Sequence, residues 1–267
     1  MPPAPSGAPV EPWGRCTSYE VVGEAYYGDN IARLFRGMSG FAGAGGAELR
    51  ANATLVAAPD NPYGEGHAIA VWMGGQHVGY IAAEDSVHHF PRVMKLRERG
   101  NDVVLDGRLW ARRDGRRVRA RATIWLPAPD GYEPPAGYLP SEPHAVLPAG
   151  GRIQVTKEDE HMEVLGRHVA PGIARSLAAT LHVVEEVRPR STVEVVEVRV
   201  RGSRIGVLSP AQGANLRPLV DHLARANKTP VVRAEITGNS VKAEVVLFAE
   251  KAALVPQAWL DAHPASD

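Results

Sequence analysis

The sequence predicts an α+β fold, mainly β, built as two small β-barrels in tandem with helical additions. Three observations carry this. Short apolar strands are closed by glycine-bearing turns, at Gly74-Gly75, Asp114-Gly115 and Gly238-Asn239. A stretch of the first half recurs in the second: Val198 to Leu208 parallels Val71 to Ile81 at an offset of 127. Between the halves, residues 127–151 carry seven prolines, which predicts a semi-rigid linker and a domain boundary.

Taken in order, residues 1–18 are rich in proline, glycine and small side chains and are expected to be a disordered tail. A strand follows at 19–24, and Asp29 is placed to cap a short helix over 30–36 that ends at Gly37. Gly37 to Gly46 is glycine-rich. No Gly-Lys-Ser/Thr follows it, so it reads as a flexible connection rather than a phosphate cradle. Residues 47–57 return as a strand. Asn61-Pro62-Tyr63-Gly64 is a turn, with φ fixed by Pro62 and positive φ open to Gly64 and Gly66. Ala68 to Met73 is apolar enough to be a buried strand, and it pairs across Gly74-Gly75 with His77 to Ile81. Glu84 to Arg99 has helical spacing of Val87, Phe90, Val93, Met94 and Leu96. Pro91 lies inside it and costs about 3 kcal/mol in a regular interior, so a break or a second helix is expected there. Val103–Ala111 and Val118–Leu126 are two further strands.

The first domain is thus expected over 19–126 and a degenerate copy over 152–252, with a loose tail over 253–267. In that copy Pro218 matches Pro91 at the offset of 127, and Val241 to Phe248 parallels Val118 to Trp125 at an offset of 123. The second closing hairpin is therefore four residues shorter. Glu163-Val164-Leu165-Gly166 is set against Val21 to Glu24, and Arg188-Pro189-Arg190-Ser191 against the Asn61-Pro62-Tyr63 turn.

Hydrophobic residues make up 44% of the chain and charged residues 22%, enough for ordinary globular cores. No run reaches the roughly 20 apolar residues of a membrane span, and no charged-then-apolar leader pattern opens the chain. Cys16 stands alone, which leaves no internal disulfide and no thiolate metal cluster; a reducing cytoplasm is the expected location. The formal net charge is zero but unevenly spread. Residues 92–121 hold eleven basic side chains against four acidic, a local +7. Residues 157–197 hold eight acidic against five basic, a local −3. Only the first half is expected to face a polyanion.

Asn61-Pro62-Tyr63, Ala68-Ile69-Ala70-Val71 and Val78-Gly79-Tyr80-Ile81, preceded by Val21-Val22-Gly23-Glu24-Ala25-Tyr26-Tyr27, resemble the HIRAN domain family. The resemblance spans roughly residues 19–126. It implies an OB-like or SH3-like barrel with helical additions, and a pocket that takes the 3′ end of single-stranded DNA. A fork-remodelling member of that family carries an arginine where this chain has Ala25 and an aspartate where it has Gly64. The loop from Tyr63 to Ala68 is also one residue longer here.

Tyr26, Tyr27, Asn61, Tyr63 and Tyr80 are the first candidate site. Aromatic faces stack on unpaired bases regardless of sequence, and an asparagine at a turn can hold a sugar or phosphate oxygen. Tyr26 or Tyr80 could alternatively fill the barrel core. Arg112, Arg113, Arg116 and Arg117 are the second candidate, as phosphate contacts or as a solvated hairpin face. His67, His77, His88 and His89 lie close in sequence, but adjacent helical positions point about 100° apart, which disfavours a shared metal. No nucleophile pattern or paired carboxylates mark a catalytic site. The expectation is a non-enzymatic protein without cofactor or metal. It would bind single-stranded DNA or DNA ends through its first domain, as an accessory to a helicase or nuclease partner in repair or replication. The competing expectations are a protein-interaction adaptor using the same pocket or a barrel edge, and a small-molecule sensor.

Overall fold

The computed structural model describes residues 2–188 and 191–264, which form two compact units, Met1–Glu133 and Pro134–Asp267. No helix among the described residues is long and apolar enough to cross a membrane.

The first unit runs β1 (Ala8–Val10), β2 (Cys16–Glu20), a 3-10 turn (Glu24–Tyr27), α1 (Gly28–Leu34), β3 (Ala47–Ala57), β4 (Ile69–Met73), β5 (Gln76–Tyr80), α2 (Ala83–Glu98), β6 (Asn101–Asp114) and β7 (Arg117–Pro127). The strands lie in the order β2-β7-β6-β3-β4-β5, with β1 parallel on β6. The two ends of this curved sheet meet at a single bridge, where Val22 and Tyr80 exchange N–H···O bonds of 2.9 Å each way. The barrel is therefore only partly closed. Ile31, Phe35, Leu55, Ile69, Met73, Leu109 and Ile124 are fully buried inside it. All five residues of β4 are buried: Ile69, Val71 and Met73 point into the barrel. Ala70 and Trp72 join Val56, Ala58, Ala68 and Tyr80 in a small cluster on the outer face.

The second unit repeats the plan with β8 (His144–Val146), β9 (Arg152–Thr156), a 3-10 turn (Glu158–His161), α3 (Met162–Leu165), β10 (Arg175–Arg188), β11 (Ser191–Val200), β12 (Ser203–Leu208), α4 (Pro210–Arg225), β13 (Thr229–Gly238), β14 (Ala243–Phe248), a 3-10 turn (Ala252–Leu254) and α5 (Gln257–Asp261). Here β10 pairs with β13 as well as β11, so six strands close a ring and β8 lies outside it on β13.

The repeat seen in the sequence extends to local geometry. The hairpins β4–β5 and β11–β12 shift register at Val71/Trp72 and at Val198/Arg199, 127 residues apart. Gly74-Gly75 and Arg201-Gly202 both have positive φ, as a two-residue hairpin turn demands. Gly79 has a different reason. A Cβ there would sit 2.6 Å from both the Val22 carbonyl oxygen and Val21 Cγ1, so only glycine lets the closing strand cross at that point. Gly206 meets Val155 and Thr156 in the same way.

Four sequence expectations change. The helix around Pro91 does not break. Residues 83–98 are one helix, and Ser86, His89, Val93 and Leu96 form its buried stripe. The carbonyl deprived of its donor belongs to Val87, an exposed residue on the solvent side of the helix. Pro218 is carried likewise inside α4. The expected tail over residues 1–18 is ordered from Ser6 on: Ser6 and Gly7 donate N–H groups to the buried Asp102 carboxylate at 2.6 and 2.7 Å, Ala8–Val10 pairs with β6, and Trp13 is buried. Composition shows the chain to be extended there, but not that β6 offers it an edge. The proline-rich stretch 127–151 belongs mostly to the units. Tyr132 is buried against His89 with an oxygen–nitrogen distance of 2.8 Å, Glu133 pairs with Lys95 and Arg99, and His144–Val146 is a strand. Past residue 252, Val255, Trp259 and Leu260 pack on the second core, so this is no free tail.

Candidate nucleic-acid interface

The Val22–Tyr80 bridge sets the geometry of the first candidate. It brings the end of β5 beside the 3-10 turn that follows Gly23, so the Tyr27 ring meets two side chains of β5. Its centroid is 4.1 Å from that of His77, edge-on, and 6.1 Å from that of Tyr80. His77 and Tyr80 are 4.7 Å apart, and Trp72, opposite His77 on β4, is 5.5 Å from it. Asn30 at the start of α1 donates to the His77 carbonyl at 3.0 Å and ties the helix to this strand. The four rings thus form one cluster on the outer face of the hairpin.

His77 is almost fully buried. Its Nε2 lies 2.9 Å from the Gly79 carbonyl, which can only accept, so Nε2 carries the proton and Nδ1 is left as an acceptor. Burial pulls its pKa down to about 4, so the ring is neutral at physiological pH. His77 Nδ1 and the neighbouring Trp72 Nε1 are both buried without a hydrogen-bond partner among the described residues. Burial, then the hydrogen bond with Tyr27, raises the pKa of Tyr80, which therefore stays protonated. Sequence reasoning weighed His77 only as a metal ligand and passed over Trp72. The signal that finds them is their opposed position in the hairpin, on the face away from Val71 and Met73.

Tyr26 and Tyr63 are placed differently. They are 88% and 92% exposed, and among the described residues neither has a ring partner. Large rings held in water in this way are candidates for an external stacking partner. Asn61 is occupied locally: its Oδ1 accepts the Tyr63 N–H at 3.1 Å, an Asx turn that shapes the loop. The loop is pinned by Ala58 N–H to the Ala68 carbonyl at 2.8 Å and by the Ser86 hydroxyl on the His67 carbonyl. Gly64 does not need positive φ here; Glu65 and Gly66 have it instead. Gly64 is required because a Cβ would overlap the Ala68 methyl, which also makes the family's aspartate a poor fit at this position.

Of the eleven basic residues of this segment, four are matched by carboxylates outside the sequence window. Arg108 pairs with Glu48 at 2.7 Å, Arg121 with Glu20 at 3.6 Å, and Lys95 and Arg99 with Glu133. Within it, Arg97 pairs with Asp102 and Arg119 with Asp114. Arg112 is half-buried, donating to the Ala44 carbonyl at 2.9 Å and lying 3.9 Å from Asp114. Arg113 lies over the Phe41 ring at 5.4 Å. Arg113, Arg116 and Arg117 are exposed and have no ion pair among the described residues. The hairpin that carries them touches the tyrosine turn, since a Cβ at Gly28 would lie 3.4 Å from Val118 Cβ. The histidines do not converge: His67 packs on Phe90, His89 on Tyr132 and His77 in the ring cluster.

The second unit has the scaffold with other contents. Glu24 accepts the Ala122 N–H at 3.0 Å and Glu158 accepts the Val245 N–H at 3.2 Å. These are the same device, so Glu158 answers Glu24. The sequence alignment of Glu163–Gly166 with Val21–Glu24 is corrected accordingly: Tyr26 corresponds to Glu160 and Tyr27 to His161. On the outer face, Ala70, Trp72, His77 and Tyr80 correspond to Glu197, Arg199, Arg204 and Val207. Buried Glu197 holds Arg199 at 2.6 Å and Arg204 at 3.1 Å. Of the segment set against Asn61-Pro62-Tyr63, Pro189 and Arg190 lie outside the described residues, while β10 and β11 pair as far as Arg188 opposite Ser191. No family model matches the chain, and neither a curated protein nor a solved structure matches it.

Proposed function

We propose that the first unit is a HIRAN-type, non-catalytic module that binds single-stranded nucleic acid or DNA ends, serving a helicase or nuclease partner. The observation that carries this reading is the exposure of Tyr26, next to Tyr27 of the Tyr27–His77–Tyr80 cluster, and of Tyr63 in the turn before β4, in a unit whose β6–β7 hairpin tip holds Arg116 and Arg117 without counter-charge among the described residues. Stacking is tolerant of base identity and contributes about 1–3 kcal/mol per base. Unmatched arginines exchange their counterions for phosphates. The second unit argues by contrast: where the first has rings, it has an ion-paired cluster of Arg199 and Arg204 on Glu197, which offers a strand no aromatic stacking face. The reading is tested by fluorescence anisotropy of single-stranded, blunt and 3′-blocked oligonucleotides over a salt series. Affinity for single strands should fall steeply as salt rises. Failure of every oligonucleotide to bind at low salt would sink it.

A further inference from the structure

The glycine-rich segment after α1 is not a free connection. The Trp110 indole N–H donates to the Gly45 carbonyl at 3.1 Å, Arg112 to the Ala44 carbonyl at 2.9 Å, and the Arg113 N–H to the Phe41 carbonyl at 2.8 Å. Fastened to β6 in this way, the segment faces α1 across a cleft of about 490 Å³. Phe35 and Phe41 stack at its base, centroids 5.3 Å apart and planes at 24°. Three arginines, Arg33, Arg36 and Arg113, are among its lining residues. Among the described residues Arg33 is bonded only to carboxamide oxygens, of Asn30 at 2.7 Å and Gln76 at 3.3 Å. Among the described residues none of the three lies within ion-pair distance of a carboxylate, whereas Arg97, Arg99, Arg108, Arg119 and Arg121 of the same unit all do. Asp29 is the one carboxylate in the lining, and it leaves a formal surplus of two positive charges.

We propose that this cleft binds a phosphomonoester. Like charges gathered at one cleft repel unless an anion is shared among them. A phosphomonoester carries about −1.5 to −2 charges near neutral pH and presents three acceptor oxygens, matching the surplus and the forked donors of arginine. Ala32, Met38 and Ala42 add apolar lining for the attached sugar. The phosphate can come from a free mononucleotide or from the end of a nucleic-acid strand. The second source rests on the function proposed above: α1 begins beside Tyr27 and is about 10 Å long, so a strand stacked on the tyrosines has its end within reach of the cleft.

The test uses the full chain. Calorimetry with thymidine monophosphate, thymidine and inorganic phosphate reads the cleft directly. Anisotropy with one oligothymidylate bearing a 5′ phosphate, a 3′ phosphate or neither reads the strand end. The monophosphate should bind where thymidine does not, and one of the two terminal phosphates should tighten the oligonucleotide by about tenfold. Arg36→Glu should abolish both effects while changing the unphosphorylated oligonucleotide by less than about twofold. Asp29→Asn should strengthen the monophosphate. If the monophosphate binds with that dependence on Arg36 but no oligonucleotide binds, the cleft stands as a mononucleotide site and the strand reading falls. If oligonucleotides bind alike whatever their ends and the monophosphate gives no heat, or if it binds Arg36→Glu unchanged, the cleft proposal is overturned and the stacking site survives.

Discussion

Truncating Tyr26 and Tyr63 separates ligand contact from folding. At 88% and 92% exposed, with no ring partner among the described residues, neither contributes to a core. Replacement by alanine should therefore leave stability within about 0.5 kcal/mol, the range for surface positions. If each ring stacks on a base, each truncation costs about 1–3 kcal/mol of binding, or roughly 5- to 150-fold in affinity. Tyr27 behaves otherwise. Its ring covers His77 at 4.1 Å, so Tyr27→Ala should lose affinity and also about 2 kcal/mol of stability, part of the cost of removing a fully buried ring. The assay is anisotropy of a labelled single strand at low salt, with a thermal melt of each variant. The decisive variant is Tyr26→Ala/Tyr63→Ala. A melt like that of the parent with affinity also unchanged would refute the stacking argument. A loss equal to that of one single variant would mean that only one ring meets the strand.

Three further outcomes follow from specific contacts. Arg116→Gln/Arg117→Gln should reduce the slope of log affinity against log salt by about 2, whereas Arg108→Gln, whose charge Glu48 already neutralises, should leave the slope nearly unchanged. His77, with a native pKa of about 4 against about 6.5 in the unfolded chain, binds a proton more readily when unfolded. Stability should therefore fall as pH drops from about 6.5 to about 4 and level off below, by an amount on the order of 3 kcal/mol. Denaturant melts of His77→Phe across that window should show a total fall in stability smaller by this amount; an identical fall would place the titration elsewhere. A fragment of residues 1–133 should fold, while one ending at 126 should not. The shorter piece loses Tyr132 from the core and the Gly131 carbonyl that receives Trp13 and Gly14, and circular dichroism melts decide between these outcomes.

Much of the fold was legible because duplication writes the same local rules twice. The hairpin, the helix with its proline and the closing strands recur at fixed offsets, and each rule is local: paired positive φ at Gly74-Gly75, apolar residues through β4, a helical stripe in α2. Neutralisation of the arginines was not legible, since Glu20, Glu48 and Glu133 reach them from strands and turns outside the window in which charge was counted. Order in the first residues was hidden for a similar reason, because it depends on Asp102 and the free edge of β6. The tyrosines were visible as residue types, but the cluster that orients Tyr27 was not. His77 and Trp72 come together only when the register of β4 and β5 is known, and the register shift at Val71/Trp72 sets which face each takes.

The same register explains why two copies of one scaffold need not share a ligand. The barrel uses the inner residues of each hairpin, Val71 and Val78 in the first unit, Val198 and Ile205 in the second, and all four are buried. The outer positions are free to diverge without disturbing that core. In the first unit they became Trp72, His77 and Tyr80, an aromatic cluster. In the second they became Arg199, Arg204 and Val207 around Glu197, where both arginines are ion-paired to the one buried carboxylate. Replacing a buried ion network by apolar side chains is often neutral or stabilising. Arg199→Trp/Arg204→His in the second unit would leave Glu197 buried without its partners and should destabilise it by about 3–5 kcal/mol. Adding Glu197→Ala should restore the loss. If the triple variant also gains affinity for single strands, the outer face itself is the site. If it folds and stays inert, recognition resides in Tyr26, Tyr63 and the arginine tip, which the second unit lacks.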